Sequence, residues 1–367
     1  MKIEAAVFRE PGRQLEVEEL ELEEPRGDEV LVRLDASGIC RSDLSLADGK
    51  WPAPLPMVLG HEGAGTIEAV GDGVDDARMG EDVVLTFTPA CGRCRFCLQG
   101  RVNLCLQAAR CMDEGVLPDG TTRLSHNGHR VHHLALVSSF ATYAVVPANA
   151  AIAVPAGLDP ALTCLLGCGV LTGVIAVTRR ANVRPAESVA VFACGGVGLS
   201  AVLGASLVSA HPIVAVDPVP AKRELALRVG ATHAIDPDAE DAVGAIRRIV
   251  PDGVDHAFEA VGIPAVAEQA FAATRTGGTT VLIGQPALGT SVALPVYDWT
   301  QFEHDVLGTH IGGATPALDI PALAALLAAG RLELEPLVTH RFPLARIGVA
   351  LETARSGGAG RVVLDLR

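Results

Sequence analysis

The chain is short of lysine. Lys2, Lys50 and Lys222 are the only three among 29 basic residues, which stand against 43 acidic ones, and the formal net charge is −14. Phosphate backbones repel such a protein, which argues against nucleic acid as a partner. An apolar leader is missing too: the opening "MKIEAAVFREPGRQ" has no hydrophobic core of the kind that directs secretion. There is no run of membrane length. The longest apolar stretch, around Val197 to Ala210, is broken by glycines and serines and follows a strand-like segment, so it reads as a buried helix. These absences lead to the expectation of a cytoplasmic protein with no membrane partner. In that compartment clustered cysteines are more often metal ligands or catalytic groups than disulfides. No internal repeat or disordered linker is evident.

What is present fits two domains. The 367 residues are nearly half apolar, with 39 glycines and 23 prolines, enough for a sizeable core and many tight turns. As far as about residue 150 the chain reads as short strands between Gly/Pro turns, among them "EVLVRLDASG", "GAGTIEAVG" and "EDVVLTF". From about residue 170 strands and helices alternate. "SVAVFA", "PIVAVD", "VDHAFEAVG" and "GTTVLIGQ" read as strands, and "GGVGLSAVLGASLVSA" and "AKRELALRVGA" as helices. That alternation predicts a parallel sheet covered by helices. A helix, "DIPALAALLAAG", and a strand, "RVVLDL", close the chain.

"CGRCRFCLQGRVNLC" places Cys91, Cys94, Cys97 and Cys105 at C-x2-C-x2-C-x7-C spacing. Four thiolates from one loop close tetrahedrally on zinc and leave no position for water, which makes the site structural. The competing readings are free cysteines or an iron–sulfur cluster. In ferredoxin-type runs a proline usually follows the fourth cysteine, whereas here Leu106 follows Cys105.

After "SVAVFA" the turn Ala193-Cys194-Gly195-Gly196-Val197-Gly198 matches G-x-G-x-x-G, with Ala193 in place of the first glycine. The match alone is weak, and a glycine-rich packing turn would give the same string. Its context is more specific. The turn joins a strand to a helix whose N-terminus offers amides and positive dipole to a pyrophosphate. Asp217 ends the next strand, about 20 residues on, where an acid binds ribose hydroxyls and repels a 2′-phosphate. Lys222 is near enough to assist, so NAD is the expected cofactor.

Three more ligand-type residues lie in glycine-rich settings: Cys40 in "GICRSDL", His61 in "GHEGAG" and Cys168 in "LLGCGVLTG". Each alone reads as an ordinary core residue. Together, a Cys2His set leaves the fourth zinc position open, the arrangement of a catalytic site.

With these motifs and the closing "GRVVL", essentially the whole chain resembles the zinc-dependent medium-chain alcohol dehydrogenases, in the branch of liver alcohol dehydrogenase and glutathione-dependent formaldehyde dehydrogenase. The resemblance implies an α/β fold: a Rossmann doubly wound parallel-sheet coenzyme domain plus a β-rich GroES-like catalytic domain. It implies a catalytic domain over 1–169, an NAD-binding domain over 170–311 and a return to the catalytic domain over 312–367. Cys40, His61 and Cys168 would hold the catalytic zinc, with Glu62 behind it as a reserve ligand and Asp43 orienting His61. Cys91, Cys94, Cys97 and Cys105 would hold the structural zinc. Ser42 would take the substrate proton. Arg41 and Arg361 match pyrophosphate-binding arginines, and Thr172 a threonine beside the nicotinamide. Gly195, Gly196, Val197, Gly198, Asp217 and Lys222 complete the NAD site. Where liver-type enzymes end the proton relay on a histidine, Ser45 stands, so the relay must finish elsewhere.

The same alignment places Trp51, Phe87, Leu104, Arg110, Leu134 and Ala135 around the substrate. Arg110 is either a solvated lip residue or the partner of an anionic tail. An apolar primary alcohol or aldehyde, aromatic or medium-chain aliphatic, is the expected substrate. The alternative is a thiol-adduct (glutathione or mycothiol) formaldehyde dehydrogenase, disfavoured because the adduct-binding arginine and aspartate positions hold Ala109 and Trp51. The segment "AARCMDEGVLPDGTTRLSHNGHRVHHLALVSSFATY" resembles the insert of dimeric members, so a homodimer is expected. Its histidines 126, 129, 132 and 133 read as a solvated or interface loop rather than a third metal site. Cys111, Cys164 and Cys194 read as non-ligands.

Overall fold

The Glu29–Ile39 strand is the spine of the first half of the chain. Val30, Val32 and Leu34 are buried while Leu31 and Arg33 between them are half-buried, and from Leu34 every residue to Ile39 is buried. A strand buried in this way needs neighbours on both edges. It has Glu62–Val70 on one side, and Arg361–Asp365 and Tyr143–Pro147 on the other, all antiparallel. The computed structural model, which describes all 367 residues, extends this sheet outward through Asp82–Leu85 and Ala151–Ala153 and, beyond Arg361–Asp365, through Val338–Pro343. Five shorter strands close into a barrel: Lys2–Phe8, Glu16–Leu22, Leu124–His126, His129–His133 and Met57–Val58. One continuous apolar core, from Ile3 to Leu366, fills this unit. The unit comprises Met1–Cys168 and Thr315–Arg367.

The second unit, Gly169–Ala314, has a different plan. Six parallel strands run in the order His233–Ile235, Ile213–Val216, Val189–Phe192, Val254–Glu259, Thr274–Leu282, Asp305–Gly308. Numbered along the chain this is 3-2-1-4-5-6, the doubly wound dinucleotide-binding order, with its switch point beside Val189–Phe192. The central strands are continuous apolar runs because helices cover both faces. Those helices start where the sequence provides a cap or a proline. Asp241 caps Ala242–Ile249 through the Val243 and Gly244 amides, and Pro220 and Pro264 open two others. The apolar stretch after residue 196 is the helix Gly196–Leu207, buried from Gly198 to Ala205. No single helix is long and apolar enough to cross a membrane.

Candidate active site and metal centres

Cys40 follows the spine strand and caps the helix Arg41–Ala47. Asp43, in the first turn of that helix, accepts the Cys40 N–H at 2.9 Å and the Gly60 N–H at 3.2 Å. Asp43 is fully buried and also lies 3.2 Å from His61 Nδ1. With Nδ1 committed to a carboxylate, Nε2 is the ring atom left to bind a metal. The Ser42 hydroxyl lies 3.2 Å from that nitrogen, and Phe87 meets the imidazole edge-on with ring centroids 5.3 Å apart.

The glycines of "GHEGAG" are there for close packing. Gly60 has φ +87°, and a Cβ on it would stand 2.6 Å from the Phe140 nitrogen. A Cβ on Gly65 would overlap the Arg33 carbonyl. His61 and Glu62 are thus carried on a segment drawn against its neighbours more tightly than a side chain permits.

Cys168 follows the short 3-10 turn Cys164–Gly167. It joins Cys40, His61 and Glu62 so that ligand atoms from all four lie within 4.8 Å of one another, every residue buried. Two sulfurs, one imidazole with the Asp43 carboxylate behind it, and the Glu62 carboxylate as fourth donor form a set suited to zinc. The donors compete for protons. A hydrogen bond from Cys168 draws the Cys40 thiol well below its ordinary range, and the same bond, with burial, pushes Cys168 well above. Burial lowers His61, but Asp43 and Cys40 outweigh it and raise the imidazole well above its usual value. A divalent cation would displace those protons and satisfy all three donors at once.

Glu62 is paired with Arg361, both buried. The resemblance matches Arg361 to a pyrophosphate-binding arginine; in the structure its guanidinium lies on Glu62. Sequence reading missed this partnership.

The other four cysteines also converge within 4.8 Å. The Cys91 N–H points to Cys105 Sγ at 3.3 Å, the Cys94 N–H points to Cys91 Sγ at 3.4 Å, and Cys91 and Cys97 sulfurs are 3.9 Å apart. Backbone amides of Cys97 and Leu106 draw Cys94 down to about 6, while burial and the neighbouring thiols push Cys97 up to about 12. Amides aimed at sulfur are what a tetrathiolate zinc site requires.

In the second unit the turn after Val189–Phe192 leads into Gly196–Leu207, whose first turn has no side-chain cap. A Cβ on Gly195 would meet no atom within 4 Å, so a pyrophosphate has room to approach the helix amides. A Cβ on Gly198 would overlap the Ala193 carbonyl, so that glycine serves close packing. Asp217 is buried and accepts the Cys194 N–H at 2.7 Å and the Val219 N–H at 2.8 Å. It fixes the glycine turn to the next strand. Arg223, unremarked in the sequence, donates to the Asp217 and Pro218 carbonyls and pairs with Asp236. Lys222 is half-buried beside it, and Thr172 is buried in the helix Gly169–Ile175.

Of the expected pocket residues, Trp51, Phe87 and Leu134 are half-buried against the core of the first unit. Leu104 is half-buried and Ala135 buried. Arg110 is exposed and turned to its own surroundings, Glu114 at 3.1 Å and the Pro118 carbonyl at 3.2 Å. Arg41 is exposed, whereas Ser45 is buried. The four histidines of the insert form no common ligand group; the two groups described above are the metal-type clusters of the chain. Cys111 packs with Leu117 and Leu136. Cys164 and Cys194 are buried, and burial pushes Cys194 up to about 12.

Residues 26–156 match the alcohol dehydrogenase GroES-like domain, and residues 196–329 match the zinc-binding dehydrogenase family. The chain is 37% identical to an S-(hydroxymethyl)glutathione dehydrogenase of Synechocystis sp., over 99% of this chain and 100% of the relative. Among solved structures it is similar to an alcohol dehydrogenase zinc-binding domain protein from Burkholderia ambifaria, with 41% identity, a TM-score of 0.96, and 100% and 99% of the two chains covered. It is also similar to benzyl alcohol dehydrogenase from Acinetobacter calcoaceticus, with 35% identity, a TM-score of 0.95 and 100% of both chains covered.

Proposed function

The chain belongs to the zinc-binding alcohol dehydrogenases with a GroES-like domain, and from that premise we propose that it interconverts a primary alcohol, aromatic or medium-chain aliphatic, and its aldehyde with NAD. The observation that carries this reading is the buried convergence of Cys40, His61 and Cys168, with Asp43 behind the imidazole. When bound, zinc supplies Lewis acidity and NAD accepts hydride.

The chain's own residues do the rest. Cys40, His61 and Cys168 hold the catalytic metal, and Cys91, Cys94, Cys97 and Cys105 the structural one. Asp43 fixes the His61 ring so that Nε2 faces the reacting centre. The Ser42 hydroxyl, 3.2 Å from that nitrogen, is placed to receive the substrate proton. Ser45 stands where a histidine would end the relay, so the proton leaves through water or another group. Gly195 to Gly198 and Asp217 hold the dinucleotide, with Arg41, Thr172 and Lys222 assisting. The half-buried Trp51, Phe87 and Leu134 give the substrate apolar walls. We place the enzyme in the cytoplasm as a homodimer, with 1–169 and 312–367 as its catalytic domain and 170–311 as its coenzyme domain.

The Synechocystis relative, by its name, favours a second reading: oxidation of a formaldehyde–thiol adduct. A steady-state panel separates the two. Benzyl alcohol and hexanol are compared with formaldehyde, each with and without glutathione or mycothiol, and with NAD against NADP. The first reading expects thiol-independent turnover of benzyl alcohol with NAD at least ten times more efficient than with NADP, since Asp217 disfavours a 2′-phosphate by about 1.4 kcal/mol or more. Turnover only of formaldehyde with thiol establishes the second.

A further inference from the structure

The Glu62–Arg361 pair spans a strand. Glu62 opens the strand on one side of Glu29–Ile39, and Arg361 opens the strand on the other. Between them lies Gly38, in register with Glu62 on one edge and with Val363 on the other. The two side chains meet over that glycine. A Cβ built on Gly38 would overlap Glu62 Oε2 and stand 3.2 Å from Arg361 Nη2 and 3.1 Å from Leu165 Cδ2. A glycine inside a strand marks a close approach, and what approaches this one is a buried carboxylate.

The same carboxylate is among the four donors that lie within 4.8 Å of one another. It therefore has two cations to choose from, the guanidinium across the strand and the metal that Cys40, His61 and Cys168 would hold. A buried carboxylate without a cation is costly, so loss of one partner drives it to the other. We propose that Gly38 is a positioning residue. By leaving space over the central strand it latches Glu62 to Arg361 and keeps the fourth metal position free for substrate. The inference rests on the reading of the Cys40 cluster as a metal site.

The test uses the purified full chain with cobalt exchanged into that cluster. Visible absorption reports coordination number, and transfer of zinc to a chromogenic chelator reports its release rate. Gly38→Ala is expected to give cobalt the weaker bands of higher coordination and to slow zinc release, because an added carboxylate ligand must also dissociate. Gly38→Ala combined with Glu62→Gln is expected to restore the parental spectrum and rate, because the displaced ligand is gone. Arg361→Gln breaks the latch without altering Glu29–Ile39 and is expected to reproduce the spectral change, which keeps the test available should Gly38→Ala not fold. A parental spectrum and rate in Gly38→Ala, or in Arg361→Gln where that variant stands in, overturns the proposal. So does a spectral change that persists in the double variant. Metal content of the unaltered protein is measured first: a chain that binds no metal through Cys40, His61 and Cys168 overturns the metal reading itself.

Discussion

Ala193 shows how a single departure from a motif is accommodated. It has φ +73°, the left-handed region that the first glycine of a dinucleotide turn normally occupies. An alanine there carries roughly 1–2 kcal/mol of strain. The turn keeps its shape because Asp217 accepts the next N–H and the Ala193 N–H donates to the Val216 carbonyl at 2.8 Å. Ala193→Gly relieves the strain but loosens the unfolded chain by about 0.4–1 kcal/mol. The expected net gain lies between zero and about 1.6 kcal/mol, read as a higher denaturant midpoint at unchanged m-value. A lower midpoint would mean that the methyl packs usefully. The same scale explains what the sequence disclosed. Cysteine spacing and the glycine turn were legible because metal and phosphate chemistry dictate residue type and gap locally. The partnership of Glu62 with Arg361 was not, since the two are 299 positions apart and an arginine carries no mark of its partner.

At the scale of elements, the strand His129–His133 is tied down by a buried polar network. Arg123 is buried and donates to Glu29 at 2.9 and 2.6 Å and to Asp119 at 2.6 Å. Its backbone N–H donates to His133 Nε2 at 3.2 Å, so the neutral ring carries its proton on Nδ1, 3.3 Å from the Ser138 hydroxyl. Burial, then the positive charge of Arg123, pushes His133 down to about 3. An unfolded chain takes up this proton near pH 6.5, whereas the folded one refuses it until about pH 3. The unfolded state therefore binds more protons throughout that window. Stability is complete above it and falls as pH drops, by about 1.4 kcal/mol per unit at most, then levels off below it. His133→Asn is expected to cost about 1–3 kcal/mol at pH 7 through weaker hydrogen bonding, yet to flatten the stability profile between pH 6 and 4. Urea melts across that range measure it; parallel profiles for the two proteins would assign the acid sensitivity elsewhere. The network is illegible in sequence, where these histidines read as a solvated or interface loop, because only folding sets Arg123 against Glu29.

For the whole molecule, the net charge of −14 keeps copies apart, so any association must rest on an apolar patch. One exists in the second unit. Leu288, Val296 and Tyr297 are 77%, 69% and 70% exposed, with Trp299 and Phe302 also exposed, all within one short segment. The next strand, Asp305–Gly308, is the outer edge of the parallel sheet and leaves one row of backbone groups unpaired by any other strand. An apolar segment beside an open sheet edge invites pairing, and proteins usually cover such edges. The expected cover is a second copy of the chain, since an open strand edge can pair with its own copy across a two-fold axis. Light scattering on a gel-filtration column is expected to give twice the chain mass for the unaltered protein. Val296→Asp with Tyr297→Asp places two charges in the patch and is expected to give single chains with both metal sites still loaded. Leu98→Asp, at an apolar residue 74% exposed in the four-cysteine lobe, is the matched control and should leave the mass unchanged. Single chains for the unaltered protein would remove the homodimer. Dissociation by Leu98→Asp but not by the double variant would move the interface to the lobe.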